Sequence, residues 1–403
     1  MEKAWEFILN NFFCEKTNLF YDYLVKEYIE QLTGHLPSAD DIINQNPNPC
    51  GWGTGMEDST LSAGSMLDAV VARYNATKDI SMKLLADKIF DGMMRCVVDL
   101  DEGFIARSVS PIDGKSFYYD TSRDQFTHWV YGGLRYYNSE LADCEQKESI
   151  KKVIIAVAKR LERNVTAENN YNLLRYDNKE SIAGKMWGVL NKHEYFRLPF
   201  FYISAWHVSG DIYWYNLYMK YRDEAFEKTC EEFDAKSYGL RCYPVLQMQY
   251  SLRAAFDIDP DADFKEKCKS FMTKVANYYE DFTVFESQRV CTEINSDYYY
   301  YQYKAWNAVD KRIDGVFGDR EYRNPAQSER RENRGFYYIR NVGEAASIIA
   351  LCPEHRFNCE LFDALQNISD SIDYERICNY SPMLLVCGWW LLKECQKNFE
   401  KVS

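Results

Sequence analysis

Residues Tyr118 to Tyr137 read YYDTSRDQFTHWVYGGLRYY. From Asp124 onward the apolar positions are Phe126, Trp129, Val130, Leu134 and Tyr137, the spacing of one buried helical face. Thr121 and Ser122 are N-cap residues by type, so Asp124 falls in the first turn, where a carboxylate suits the helix dipole. Asp124 and His128 stand four residues apart and share a face, with Tyr131 and Arg135 continuing near it. Such a helix, opening with Asp and His among aromatics, can floor a polar pocket. An equally simple account makes Asp124 a cap and His128 a satisfied core histidine.

Working outward, the same rhythm recurs. A long loop, His35 to Gly55, leads into a helix opened by Glu57-Asp58-Ser59-Thr60 and running to about Asn75. A short link, Ala76 to Asp79, leads to a second helix, Ile80 to Val98. The long loop Asp99 to Thr121 then introduces the Asp124 helix, which is answered by Ser149 to Arg163. Further long loops are expected at Asn164 to Arg197, Asp234 to Leu240, Asp281 to Ser296, Ile313 to Asn341 and Ser371 to Tyr380. They introduce helices at Leu198 to Val208, Arg241 to Phe256, Gly343 to Leu351 and Ser381 to Cys395. The returning helices are Ile212 to Phe233, Asp263 to Tyr279 and Arg356 to Ser369, and a surplus helix is expected at Tyr298 to Val309. Glu2 to Phe13 reads as a helix that pairs with the last one, and Thr17 to Val25 reads as extended. The expectation is a single all-α domain over residues 1–403, six helical hairpins in a ring with the long loops at one end. Loops held on a rigid scaffold are where binding groups collect.

Composition narrows the function. A formal charge of −13 without a Lys/Arg stripe argues against a nucleic-acid partner. No apolar run approaches the ~20 residues of a membrane span. Aromatic residues make up 16%, and flat faces with polar tips suit stacking on sugar rings. The 13 cysteines are scattered, with no CxxC and no zinc-ligand spacing, so neither metal nor cofactor is expected. Buried free thiols fit a reducing, cytoplasmic setting, or a periplasmic one if a signal peptide has been removed. The acidic run Asp257 to Asp263, DIDPDAD, lacks the glycine and terminal glutamate of a calcium loop and reads as a turn.

Three segments together, NPCGWGTGMEDSTLSAGSMLDAVVARY (Asn48–Tyr74), GFIARSVSP (Gly103–Pro111) and YYDTSRDQFTHWVYGGLRYY, resemble the six-hairpin (α/α)6-barrel glycosidases. The nearest are the unsaturated glucuronyl and rhamnogalacturonyl hydrolases and their uncharacterised bacterial relatives. The resemblance implies an (α/α)6 toroid acting on a carbohydrate substrate, with carboxylates at its mouth doing acid/base work. Here those positions are Asp124 and Asp58, with Glu57 adjacent. Glycosidic cleavage needs one carboxyl to protonate the leaving oxygen and an ionised one to activate water or attack carbon. In the unsaturated-sugar hydrolases the acid protonates a vinyl ether instead, and water adds to the resulting cation.

Candidate substrate contacts are Trp52 and Trp129 as sugar platforms, Arg107 and Asp120 beside the carboxylates, and His128. Trp206 and His207 could line the cavity, and Arg334 and Tyr337 stand in a charged loop before an inner helix. Arg107 could grip a uronate carboxylate bidentately. Three alternatives stay open at this stage: a sugar epimerase, which would use paired histidines, a polysaccharide lyase, and a noncatalytic carbohydrate-binding protein.

Overall fold

The computed structural model describes residues 1–25, 36–231, 242–295 and 335–402. It is mostly helical. In chain order the helices are α1 (Glu2–Asn11), α2 (Ala39–Ile43), α3 (Ser59–Thr77), α4 (Met82–Arg95), α5 (Arg123–Tyr137), α6 (Cys144–Asn164) and α7 (Arg197–Ser209). They continue with α8 (Ile212–Cys230), α9 (Tyr243–Ile258), α10 (Ala262–Glu293), α11 (Gly335–Leu351), α12 (Glu360–Ser371) and α13 (Ser381–Val402). Among the described residues the only sheet is the antiparallel pair β1 (Phe13–Cys14) and β2 (Leu19–Phe20), of which β2 alone lies within the Thr17 to Val25 stretch expected to be extended.

Six helices, α3, α5, α7, α9, α11 and α13, touch one another in cyclic order, α13 returning to α3. Sequence explains their place. From Ser59 to Ala72 every residue of α3 is buried, as only a helix surrounded on all sides allows. By contrast α4 buries Met82, Ala86, Ile89, Phe90 and Met93, a single stripe facing α3. Helices α6, α8 and α10 likewise pack outside the cycle.

The members of the cycle run in the same direction where their register can be read. Asp58 meets Gln125, Gly64 meets Gly132, and Asp68 meets Arg135, so α3 and α5 are parallel. Arg340 meets Tyr380 and Gly343 meets Leu384, so α11 and α13 are parallel too. Connectors after these helices are short, as at 78–81 and 210–211, whereas those before them are long, as at 96–122 and 165–196. Among the described residues the long loops before α3 and α5 therefore share one end with those helices' N-termini.

Two glycine contacts set the spacing. A Cβ on Gly64 would stand 2.3 Å from the His128 carbonyl oxygen, and one on Gly343 would stand 2.3 Å from the Leu384 carbonyl carbon. Backbone meets backbone there, so no side chain can swing aside. Gly64→Ala is expected to cost about 1–3 kcal/mol or more through overpacking. A melting temperature equal to wild type would show that α3 and α5 can part freely.

Several boundaries differ from the sequence expectation. Helix α6 begins five residues early, because Asp143 and Gln146 form a capping box. Helix α10 runs on to Glu293 through most of the expected loop Asp281 to Ser296. That stretch has no Gly or Pro to stop it. Helix α11 begins at Gly335, eight residues before the expected start. The expected helix Tyr298 to Val309 and the candidate Arg334 lie outside the described residues, as does the Tyr337 side chain.

Candidate active site

The end where the long loops meet carries a cluster of charged side chains. It is built first from the N-terminal segment. Asp22, just after β2, accepts hydrogen bonds from the backbone N–H groups of Glu57 and Asp58, satisfying donors at the start of α3. Its own carbonyl accepts from the Tyr380 N–H at the start of α13. One buried residue thus ties two helix entrances together. Burial, with Asp58 and then Glu57 adding, pushes the Asp22 carboxyl well above the usual carboxylate range.

With Asp22 capping α3, Asp58 is released from that duty. It occupies the N-cap position but makes no capping hydrogen bond. Instead Oδ1 accepts from Gln125 Nε2 at 3.0 Å and lies 3.7 Å from Arg107 Nη1. Oδ2 accepts from the Tyr380 hydroxyl at 3.5 Å. The side chain keeps 21% of its exposure, enough to meet a ligand.

Asp124 is likewise not a cap, because Ser122 caps α5 and its hydroxyl accepts from the Gln125 N–H. Arg197, the first residue of α7 and buried, donates to Asp124 Oδ1. Burial alone would raise the Asp124 carboxyl, but Arg197 and then Arg123 overcome it and hold it at about 2. Its side chain is 24% exposed. Asp58 is bonded to Gln125, the residue that follows Asp124, so the two carboxylates stand at neighbouring helix entrances.

Beneath them, His128 Nδ1 lies 3.0 Å from Ser65 Oγ. The Ser65 hydroxyl hydrogen is committed to the Leu61 carbonyl, so the imidazole must donate from Nδ1, an assignment made from this network. Tyr250 of α9 meets the His128 ring edge-on and stacks on Tyr131 at 4.1 Å, filling the space between α5 and α9. Burial pushes His128 down to about 3, so the ring is neutral.

The remaining candidates divide by place. Glu57 is buried and accepts from the Gly53 N–H at 2.6 Å, holding the loop that carries the half-buried Trp52. Arg107 donates to the Glu57 and Thr121 carbonyls, with the fully buried Asp120 3.7 Å away, so it braces the two carboxylate-bearing loops from behind. Asp120 also accepts from Cys50 Sγ. The structure does not place Trp129, Trp206 or His207 at this end. Trp129 is wholly buried in the wall and donates its indole N–H to the Met93 carbonyl of α4. Trp206 packs on Tyr215 of α8, and His207 bonds Asn138 beyond the end of α5. They lie nine and ten residues beyond Arg197, about 14 Å along the helix, at the far end of α7.

Sequence reasoning missed Asp22, Gln125, Arg197 and Tyr380. Arg197 had a signal, since it opens an inner helix as Asp124 does. Tyr380, immediately before Ser-Pro, had the same one. Among the described residues no group of three or more His, Cys, Asp or Glu side chains could hold a metal ion. No described helix is long and apolar enough to cross a membrane. Comparison with known proteins found no matching family model, no similar curated protein and no similar solved structure.

Proposed function

We propose that the chain is a glycoside hydrolase, that its cycle of helices is an (α/α)6 barrel, and that Asp58 and Asp124 are its catalytic pair. The observation that carries this reading is that two partly exposed carboxylates, neither capping its helix, stand at adjacent helix entrances linked by the Gln125–Asp58 hydrogen bond, with unlike partners. Unlike environments are how two carboxyl groups come to divide acid and base work. Asp124, held at about 2 by two arginines, is ionised at any working pH and takes the proton of the attacking water. Asp58, by exclusion, supplies the proton, to the glycosidic oxygen of an ordinary glycoside or to the vinyl-ether carbon of an unsaturated one. Water then bonds to the cationic carbon. The epimerase reading needs two histidines at one centre, and His128 and His207 do not meet.

The substrate class, an oligosaccharide that is uronic-acid-containing or unsaturated, follows from the resemblance, since Arg107, Arg197 and Arg340 are each bonded within the protein. An unsaturated uronide disaccharide is expected to lose its conjugated ultraviolet absorbance when mixed with the protein. Absorbance gained on intact uronate polymer would turn the reading to a lyase. Saturable binding with no absorbance change on either would turn it to a binding protein.

A further inference from the structure

Arg340 and Glu344 stand one turn apart on α11, both buried, with Arg340 Nε donating to Glu344 Oε1 at 2.7 Å. The same guanidinium donates from Nη1 to the Tyr380 hydroxyl at 2.6 Å. It lies between the Tyr243 and Tyr380 rings, 5.5 Å from each centroid. A guanidinium has no acceptor, so the phenol oxygen must accept from Arg340 and its hydrogen is turned elsewhere. The hydroxyl donates to Asp58 Oδ2. We infer that Tyr380, oriented by Arg340, is the positioning residue for Asp58.

This inference rests on the glycosidase reading for its catalytic meaning. As Asp58 loses its proton, the phenol donates to the new carboxylate, a bond stronger in the transition state than before it. Tyr380 is buried and bonded to Asp58, so it acts through that carboxyl. The other charged and titratable groups facing Asp58 are Arg107 from the loop before α5, Asp22 and Glu57 at the α3 entrance, and Glu344 from α11. Burial raises the Glu344 carboxyl, with Arg340 opposing.

The test is a titration of the Asp58 carboxyl by carbon NMR on full-length protein with labelled aspartate, assigned with Asp58→Asn. In Tyr380→Phe the Asp58 resonance is expected to titrate about one pH unit higher than in wild type, because a hydrogen bond to the charged form is gone. Arg340→Lys, which keeps the cation beside Glu344 but loses the fork that holds the phenol, should move it in the same direction. The double variant should move it no further than Tyr380→Phe, as two links of one chain do not add. Should Tyr380→Phe fold poorly, Arg340→Lys carries the comparison. An Asp58 resonance that titrates as in wild type, in whichever of the two variants is folded, overturns the inference. On an unsaturated uronide disaccharide, Tyr380→Phe should lower kcat about tenfold and move the alkaline limb of the pH–rate profile up by about one unit, with KM little changed. A wild-type protein that turns over no uronide removes the glycosidase reading, while the titration still decides whether Tyr380 governs Asp58.

Discussion

Asp124→Asn and Asp58→Asn are each expected to lower turnover of an unsaturated uronide disaccharide at least ~10²-fold, the usual cost of a lost acid or base. Their effects on stability should differ, and the difference separates catalysis from architecture. Asp58 takes no part in capping, and Arg107 keeps Asp120 as a counterion, so Asp58→Asn should leave the melting temperature nearly unchanged. Asp124 is the counterion of a buried guanidinium, and Asp124→Asn leaves Arg197 with an amide in place of a charge. A fall in melting temperature is expected there, as for any buried ion pair that loses one partner. Ser122→Ala supplies the control. It removes the real cap of α5, should cost ~1 kcal/mol, and should leave turnover intact. Turnover within a few-fold of wild type in a folded Asp124→Asn or Asp58→Asn protein would strike that residue from the catalytic pair.

The sequence carried the all-helical class because its evidence is local. Periodicity, caps and the alternation of long and short connectors all lie within reach of a short window of residues, and they located α3, α4, α5 and α7 to within a few positions. The site was legible only where a residue's type and helix position agreed, as for Asp58 and Asp124. What Asp58 touches was not legible, because Asp22 and Tyr380 lie 36 and 322 residues away along the chain. Trp129 misled for a different reason. It follows His128 by one residue, which turns it about 100° around the helix and into the contact with α4. Trp206 and His207 misled through polarity. Where register can be read the helices of the cycle run one way, so residues late in α7 belong to the opposite end from Arg197.

Acid is expected to destabilise the protein through His128, and the sign can be worked out from its surroundings. In the unfolded chain a histidine titrates near 6.5. In the folded protein burial pushes His128 down to about 3, with Asp124 opposing and Arg197 and Arg340 assisting. Between those limits the unfolded chain binds a proton that the folded one refuses, so the stability this group contributes is present above about 6.5 and is lost as pH falls. The slope approaches ~1.4 kcal/mol per pH unit, which accumulates to roughly 3 kcal/mol between pH 6.5 and 4. Asp22 and Glu344 act in the opposite sense over that range. Their carboxyls are raised by burial, so their contribution is present below about pH 4 and is lost as pH rises. Asp124, lowered to about 2, contributes its own loss only between about pH 4 and 2. The His128 contribution must therefore be read as a difference between two proteins above pH 4. His128→Gln removes the titrating ring and keeps a side chain able to bond Ser65. Denaturant unfolding of wild type and His128→Gln at pH 7, 6, 5 and 4 should show wild type losing roughly 3 kcal/mol relative to the variant as pH falls. A gap between the two that stays constant across the series would mean that the imidazole takes up its proton in the folded state, and that the space beneath the two carboxylates is open to water.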